Sequence, residues 1–132
     1  MQILKYNFQQ HGDERGNLVA IEESDIPFQV KRVYYMFDTR SDVRRGFHAH
    51  RSLKQLLICI HGSCKIHLDD GVSQEEITLN VPYEGIYLDN VIWREMYDFS
   101  EDAVLMVLAS EPYDEKDYIR NYDDFLAYIK EK

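Results

Sequence analysis

From residue 3 to residue 109 the apolar side chains come in short runs rich in Val, Ile, Leu, Tyr and Phe. Gly, Pro, Asp, Asn and Ser break these runs at close intervals, the pattern of short strands in a sandwich or barrel. Strands are predicted over residues 3–8, 17–22, 31–38, 47–50, 53–61, 64–68, 75–79, 85–88, 92–97 and 103–109. Turns are predicted at 12–16, 24–27, 61–63, 69–71 and 82–85, and Asp70-Gly71 is the strongest hairpin signal among them. The period then changes. Tyr118, Ile119, Tyr122, Phe125, Leu126 and Ile129 fall at helical spacing, which predicts one amphipathic helix over about residues 115–130 whose aromatic stripe is a packing face.

Two runs, Leu56–Ile60 and Val104–Leu108, are apolar at successive positions rather than alternate ones. Both of their faces must therefore be covered, by the C-terminal helix, by a second sheet layer or by a partner subunit. With 132 residues and no repeat, linker or low-complexity stretch, the expectation is one all-β domain spanning the whole chain and closed by a helix.

The formal charge of -9 argues against a nucleic-acid binder, which needs clustered Lys and Arg. No apolar run approaches the length of a membrane span, and Met1–Tyr6 lacks the shape of a signal peptide, so a soluble cytoplasmic protein is expected. The two cysteines, Cys59 and Cys64, lie in strand-like segments outside any C-x-x-C pair and are expected to be buried free thiols.

Chemistry is concentrated in Gly46-Phe47-His48-Ala49-His50. On a strand, residues two apart share a face, so both imidazoles project into one space. Histidine is the side chain best suited to take and return a proton near neutrality. His-x-His is also a frequent metal-ligand pair. Here Gln55 stands where a carboxylate ligand would be expected, and residues 85–96 offer Trp93 and Arg94 but no histidine, so no metal and no other cofactor is expected. Arg15, Arg32, Arg44, Arg45 and Arg94 surround these segments and as a group favour an anionic ligand such as a diphosphate. Tyr34 shares a strand face with Arg32 and, if Arg32 faces the site, so does Tyr34. Neither a Gly-rich phosphate loop nor a Ser- or Cys-centred nucleophile signature is present. Proton transfer is what these residues offer.

The stretch from Gly46 to His50, followed by Gln55 and Gly62, resembles the first motif of the cupins with Gln in place of the usual carboxylate. Pro82–Gly85 resembles the second, without its histidine. Residues 15–20, 31–35, 45–50, 93–96 and 107–110 together resemble the sugar-nucleotide 3,4-ketoisomerases, a similarity that extends over almost the whole chain. The resemblance implies a cupin-type double-stranded β-helix, or jelly-roll, barrel. It implies conversion of dTDP-4-keto-6-deoxy-D-glucose to a 3-keto isomer, galacto or gluco at C4, for the 3-amino-3,6-dideoxy sugars of bacterial surface polysaccharides such as the lipopolysaccharide O-antigen. A homodimer with exchanged N-terminal strands is implied too. On this reading His48 and His50 are catalytic with Tyr34 assisting, and Arg15, Arg32, Arg45, Gln55 and Arg94 bind substrate. The alternatives are a 3,5-epimerase type of cupin, a sugar-nucleotide binding module without activity, and a metal-dependent cupin oxygenase.

Overall fold

The computed structural model describes residues 1–89 and 91–131. Two five-stranded antiparallel sheets lie face to face. The first sheet is built from β1 (Leu4–Asn7), β9 (Glu84–Leu88), β6 (Gln55–His61), β11 (Val104–Ala109) and β4 (Arg32–Met36), in that spatial order. The second runs β12 (Tyr118–Ile119), β5 (Arg45–His50), β10 (Trp93–Tyr97), β7 (Cys64–Asp69) and β8 (Gln74–Leu79). Leu57, Ile66, Leu68, Ile86, Leu105 and Val107 fill the space between them, each almost wholly buried. The expected all-β jelly-roll barrel is present, and so is the hairpin at Asp70-Gly71, where Asp70 N donates to Ser73 O at 3.2 Å.

The successive apolar positions have the cover that their pattern demands. In β6, Leu57 and Cys59 point into the barrel, whereas Leu56 and Ile58 point outward beneath Phe8, Ile26 and Phe28 from the N-terminal segment. The second sheet covers one face and the chain's own N-terminal region covers the other. The C-terminal helix sits elsewhere, packing Phe125 against Ala49, Val91, Trp93 and Ile119 on the outer side of the second sheet.

Between β6 and β7 the chain crosses from one sheet to the other instead of forming a hairpin. Gly62 makes that corner with φ 71°, and a Cβ there would lie 3.0 Å from the Cα of Ala103. The corner brings the buried free thiols Cys59 and Cys64 into hydrogen-bonding contact.

Three elements differ from the sequence expectation. Residues 12–16 are not all loop: Gln10–Asp13 (β2) pairs with Gly16–Val19 (β3) in a separate two-stranded hairpin. The helix, α1, spans Tyr122–Lys130 and begins later than expected, capped by the Asn121 side chain, which accepts from Asp124 N at 3.0 Å. Tyr118 and Ile119 belong to strand β12, paired with His50 and Ala49. Their spacing fits a helix, yet as adjacent strand residues they face opposite ways, Ile119 into the apolar layer under α1 and Tyr118 against the histidine rings. Among the described residues no helix is long and apolar enough to cross a membrane.

Candidate active site

The barrel interior changes from apolar to polar at one end, where its facing strands continue with His48 and His50 of β5, Gln55 of β6, Arg94 of β10 and Tyr34 of β4. A β-bulge in β5 sets the aim of the histidines. Arg45 pairs with Met96 and Gly46 with Glu95, but His48, not Phe47, stands opposite Arg94. Gly46 has φ 95° and Phe47 φ 58°, the left-handed geometry that admits one extra residue. A Cβ on Gly46 would fall 2.9 Å from the Arg94 carbonyl oxygen. After the bulge, His48 and His50 face inward while Ala49 faces α1.

The imidazole centroids are 4.9 Å apart, and Tyr118 lies 5.1 Å from the His48 ring and 4.4 Å from that of His50. His50 Nδ1 lies 3.0 Å from Asp117 Oδ2, and its Nε2 is buried with no hydrogen-bond partner among the described residues. Arg94 is 2 % exposed. Its Nη1 donates to Gln55 Oε1, and its Nε and Nη2 both donate to the Ile92 carbonyl. Gln55 Nε2 in turn donates to Tyr34 Oη at 2.9 Å. The phenol oxygen therefore serves as an acceptor from Gln55, which leaves the Tyr34 O–H free to donate elsewhere. Arg32 lays its guanidinium over the Tyr34 ring, 4.6 Å from its centroid.

This arrangement fixes the charge states. Burial pushes the Arg94 guanidinium down to about 10, so it remains a cation at neutral pH. Burial first, and then the Arg94 charge, pushes His48 down to about 4, and the same two causes lower His50. Burial raises the Tyr34 phenol above its ordinary value. The resting site thus holds two neutral imidazoles and a neutral phenol beside one buried positive charge, a set able to remove a proton and to stabilise the anion left behind. The position that would complete a metal-ligand set is occupied by Gln55, already bonded to a guanidinium and a phenol. Among the described residues no group of three or more His, Cys, Asp or Glu is placed to hold a metal ion.

Five of the eight residues singled out from the sequence meet here: His48, His50, Tyr34, Gln55 and Arg94. Arg32 borders a cavity of about 60 Å³ that is also lined by His50, Ser52, Asp117 and Tyr118. Arg45 is exposed at the start of β5. Arg15 does not join the site of its own chain. It lies at the tip of the β2–β3 hairpin, exposed, with Nη2 2.6 Å from Asp13 Oδ2.

Sequence reading missed the connection from Ser110 to Asn121, which runs as a strap beside the histidines. Arg51 secures it, with Nη1 donating to the carbonyls of Lys116 and Tyr118, each at 2.7 Å, and Arg51 N donating to Asp117 O at 2.9 Å. On the strap, Tyr113 and Arg120 both bond to Glu115, and the Arg120 guanidinium lies 4.2 Å from the Tyr118 ring centroid. The alternating burial that marks a strand is only two residues long in β12, too short to compete with the helical spacing that follows.

Comparison with known proteins agrees with this geometry. Residues 1–130 match the family model "FdtA: WxcM-like, C-terminal". A TDP-4-oxo-6-deoxy-alpha-D-glucose-3,4-oxoisomerase from Aneurinibacillus thermoaerophilus is 57% identical over 124 residues, 93% of this chain and 89% of that protein. Among solved structures, a variant of the 3,4-ketoisomerase QdtA from Thermoanaerobacterium thermosaccharolyticum, in complex with TDP-4-keto-6-deoxyglucose, superposes with a TM-score of 0.96. It is 46% identical, and the match covers 98% of this chain and 95% of that one. A 3,4-ketoisomerase from Helicobacter canadensis gives a TM-score of 0.95 at 46% identity, covering 98% of each chain. A paired histidine site under a buried arginine, on a cupin-type barrel that matches these relatives along nearly its full length, places the chain in the FdtA (WxcM-like, C-terminal) family of sugar-nucleotide 3,4-ketoisomerases.

Proposed function

We propose that the chain converts a TDP-linked 4-keto-6-deoxyhexose to its 3-keto isomer by proton transfer through an enediol. The observation that carries this reading is the pair of neutral imidazoles, His48 and His50, beside the buried Arg94 cation. The C4 carbonyl acidifies the C3 hydrogen, and a neutral imidazole takes it as a proton. The electrons of the C3–H bond form the C3=C4 double bond, and negative charge builds on the C4 oxygen. The Arg94 field stabilises that charge, and the free Tyr34 O–H is available to donate to a sugar oxygen. A proton delivered to the C4 oxygen completes the enediol. Return of the other proton to C4 and loss of the O3 proton then leave the ketone at C3 and a hydroxyl at C4. No atom is gained or lost, and the two imidazoles provide two proton carriers.

Arg32, which lines the cavity beside His50, and Arg45, exposed at the start of the strand that carries the histidines, are assigned to the diphosphate. The fully buried Arg94 is assigned to the sugar end. A cytoplasmic setting accords with the unbridged thiols Cys59 and Cys64.

The test is incubation with dTDP-4-keto-6-deoxyglucose in deuterated water followed by NMR of the product. A 3-keto sugar with deuterium at C4 supports the reading, and the C4 proton couplings in ordinary water distinguish galacto from gluco. Label at C5 instead would make the chain an epimerase, and the absence of any turnover would overturn the assignment.

The same reading includes a homodimer in which the N-terminal hairpin crosses to a second copy. A two-stranded hairpin is marginal in water by itself, and every residue of β2 is exposed. Val33 and Tyr35, on the outward face of edge strand β4, and Phe37 just beyond its end are exposed as well, an apolar row suited to meeting its own copy. Such a crossing would carry Arg15 to the partner's site. Tyr35→Asp is expected to sediment as a monomer while the parent sediments as a dimer. A monomeric parent would refute the dimer.

A further inference from the structure

We propose that Asp117 is a positioning residue of the isomerisation, holding His50 with its proton on Nδ1 so that Nε2 is the free base. The proposal rests on the reaction assigned above and identifies what orients one of its two proton carriers.

The argument is one of donors and acceptors. Asp117 Oδ1 accepts from Ser52 N at 2.8 Å and from Ser52 Oγ at 2.9 Å. Asp117 Oδ2 accepts from Leu53 N at 3.3 Å and faces His50 Nδ1 at 3.0 Å. Burial raises the Asp117 carboxyl, but the Ser52 and His50 hydrogen bonds outweigh it and leave the group below the usual carboxylate range. An ionised carboxylate only accepts, so the ring nitrogen facing it must be N–H. A neutral imidazole with its proton on Nδ1 has a lone pair on Nε2, the buried nitrogen that lacks a partner among the described residues.

The carboxylate is itself rigidly placed. The bonds from Arg51 Nη1 to the carbonyls on either side of Asp117, and from Arg51 N to its own carbonyl, fix the backbone that carries it. The orienting group and the base thus come from segments far apart in sequence, joined across the β5–β12 pair. Among the described residues no carboxylate is hydrogen-bonded to His48, so the two histidines are not equivalent.

Asp117→Asn separates orientation from structure. Its NH₂ would meet the Ser52 N–H in the place of Oδ1, held at 2.8 Å, but only the longer 3.3 Å bond from Leu53 N in the place of Oδ2, so the amide oxygen stays on Ser52 and the NH₂ turns toward His50. Nδ1 then becomes an acceptor and the proton moves to Nε2, removing the base. The expected result is a fall in kcat by about 10² to 10⁴ with KM changed by less than about threefold. The resting tautomer is read independently by ¹⁵N NMR of labelled histidines, with proton on Nδ1 in the parent and on Nε2 in Asp117→Asn. A parent with the proton on Nε2 overturns the proposal even if the enzyme is active and even if the variant fails to fold. So does a folded Asp117→Asn protein with near-normal kcat. A parent with the expected tautomer but no isomerase activity would leave this geometry intact and refute the reaction instead.

Discussion

His50→Asn is expected to fold like the parent and to turn over about 10² to 10⁴ times more slowly, the range for loss of a general acid–base group. His48→Asn should behave the same way, because neither neighbouring group can substitute for a missing imidazole. Arg94 is held as a cation, and the Tyr34 phenol is raised further from neutrality. Near-normal turnover in both variants, measured by product NMR, would sink the proton-relay mechanism. The His48 variant carries a second signature. Its folded pKa is pushed down to about 4 against about 6.5 in an unfolded chain. Between those values the unfolded state binds more protons, so the stabilising contribution is complete above pH 6.5 and is lost as pH falls through 4. The shift corresponds to a linkage on the order of 3 kcal/mol for this one group. In His48→Asn the fall of Tm between pH 6.5 and 4 should be shallower than in the parent, and an unchanged slope would count against a buried neutral His48.

Phe125→Ala should cost about 3–5 kcal/mol, the usual penalty for emptying a fully buried aromatic site. A fall in Tm of roughly 10–20 °C follows for a domain of this size. Phe125 has no exposed surface and packs on Trp93, its ring centroid 5.8 Å away, behind the strands that carry His48, His50 and Arg94. Its helix follows the strap directly, with Asn121 as both the end of one and the cap of the other. The variant should therefore lose turnover at temperatures where the barrel is still folded, because Asp117 and Tyr118 lose part of their support. Differential scanning calorimetry alongside the NMR assay checks both effects. A Tm within about 2 °C of the parent would mean that α1 is an ornament rather than a prop.

The strands were legible because inward and outward residues alternate, and a doubly covered strand such as Leu56–Ile60 announces itself by failing to alternate. His48 and His50 were legible because a strand converts a spacing of two into a shared face. Gln55 drew notice by departing from a motif. Asp117 carried no such mark. It is one acidic residue in a chain with 24 Asp and Glu, and its partner His50 is 67 positions away. Only the antiparallel pairing of β12 with β5 brings the two together. Arg15 shows the opposite failure: the residue sits within a recognisable stretch, yet its place in space depends on where the hairpin goes. The β2–β3 hairpin itself has little apolar alternation, because polar residues fill it from Gln10 to Asn17. Local pattern records burial, whereas the site depends on which strands become neighbours.

The bulge at Gly46 and Phe47 makes the whole site a matter of parity. If β5 continued in simple register from the Arg45–Met96 pair, Phe47 would stand opposite Arg94 and His48 opposite Trp93. Residues that pair directly share a side of the sheet. The two histidines would then be driven into the apolar layer beneath the helix, while Phe47 and Ala49 lined the barrel mouth. One supernumerary residue keeps even-numbered side chains on the reactive side and odd-numbered ones on the oily side, although nothing about Phe47 itself is chemical. Deleting one residue at Gly46–Phe47 would restore the regular count and exchange the two faces of the strand, whereas a substitution at Gly46 keeps the count and sets its Cβ against the Arg94 carbonyl.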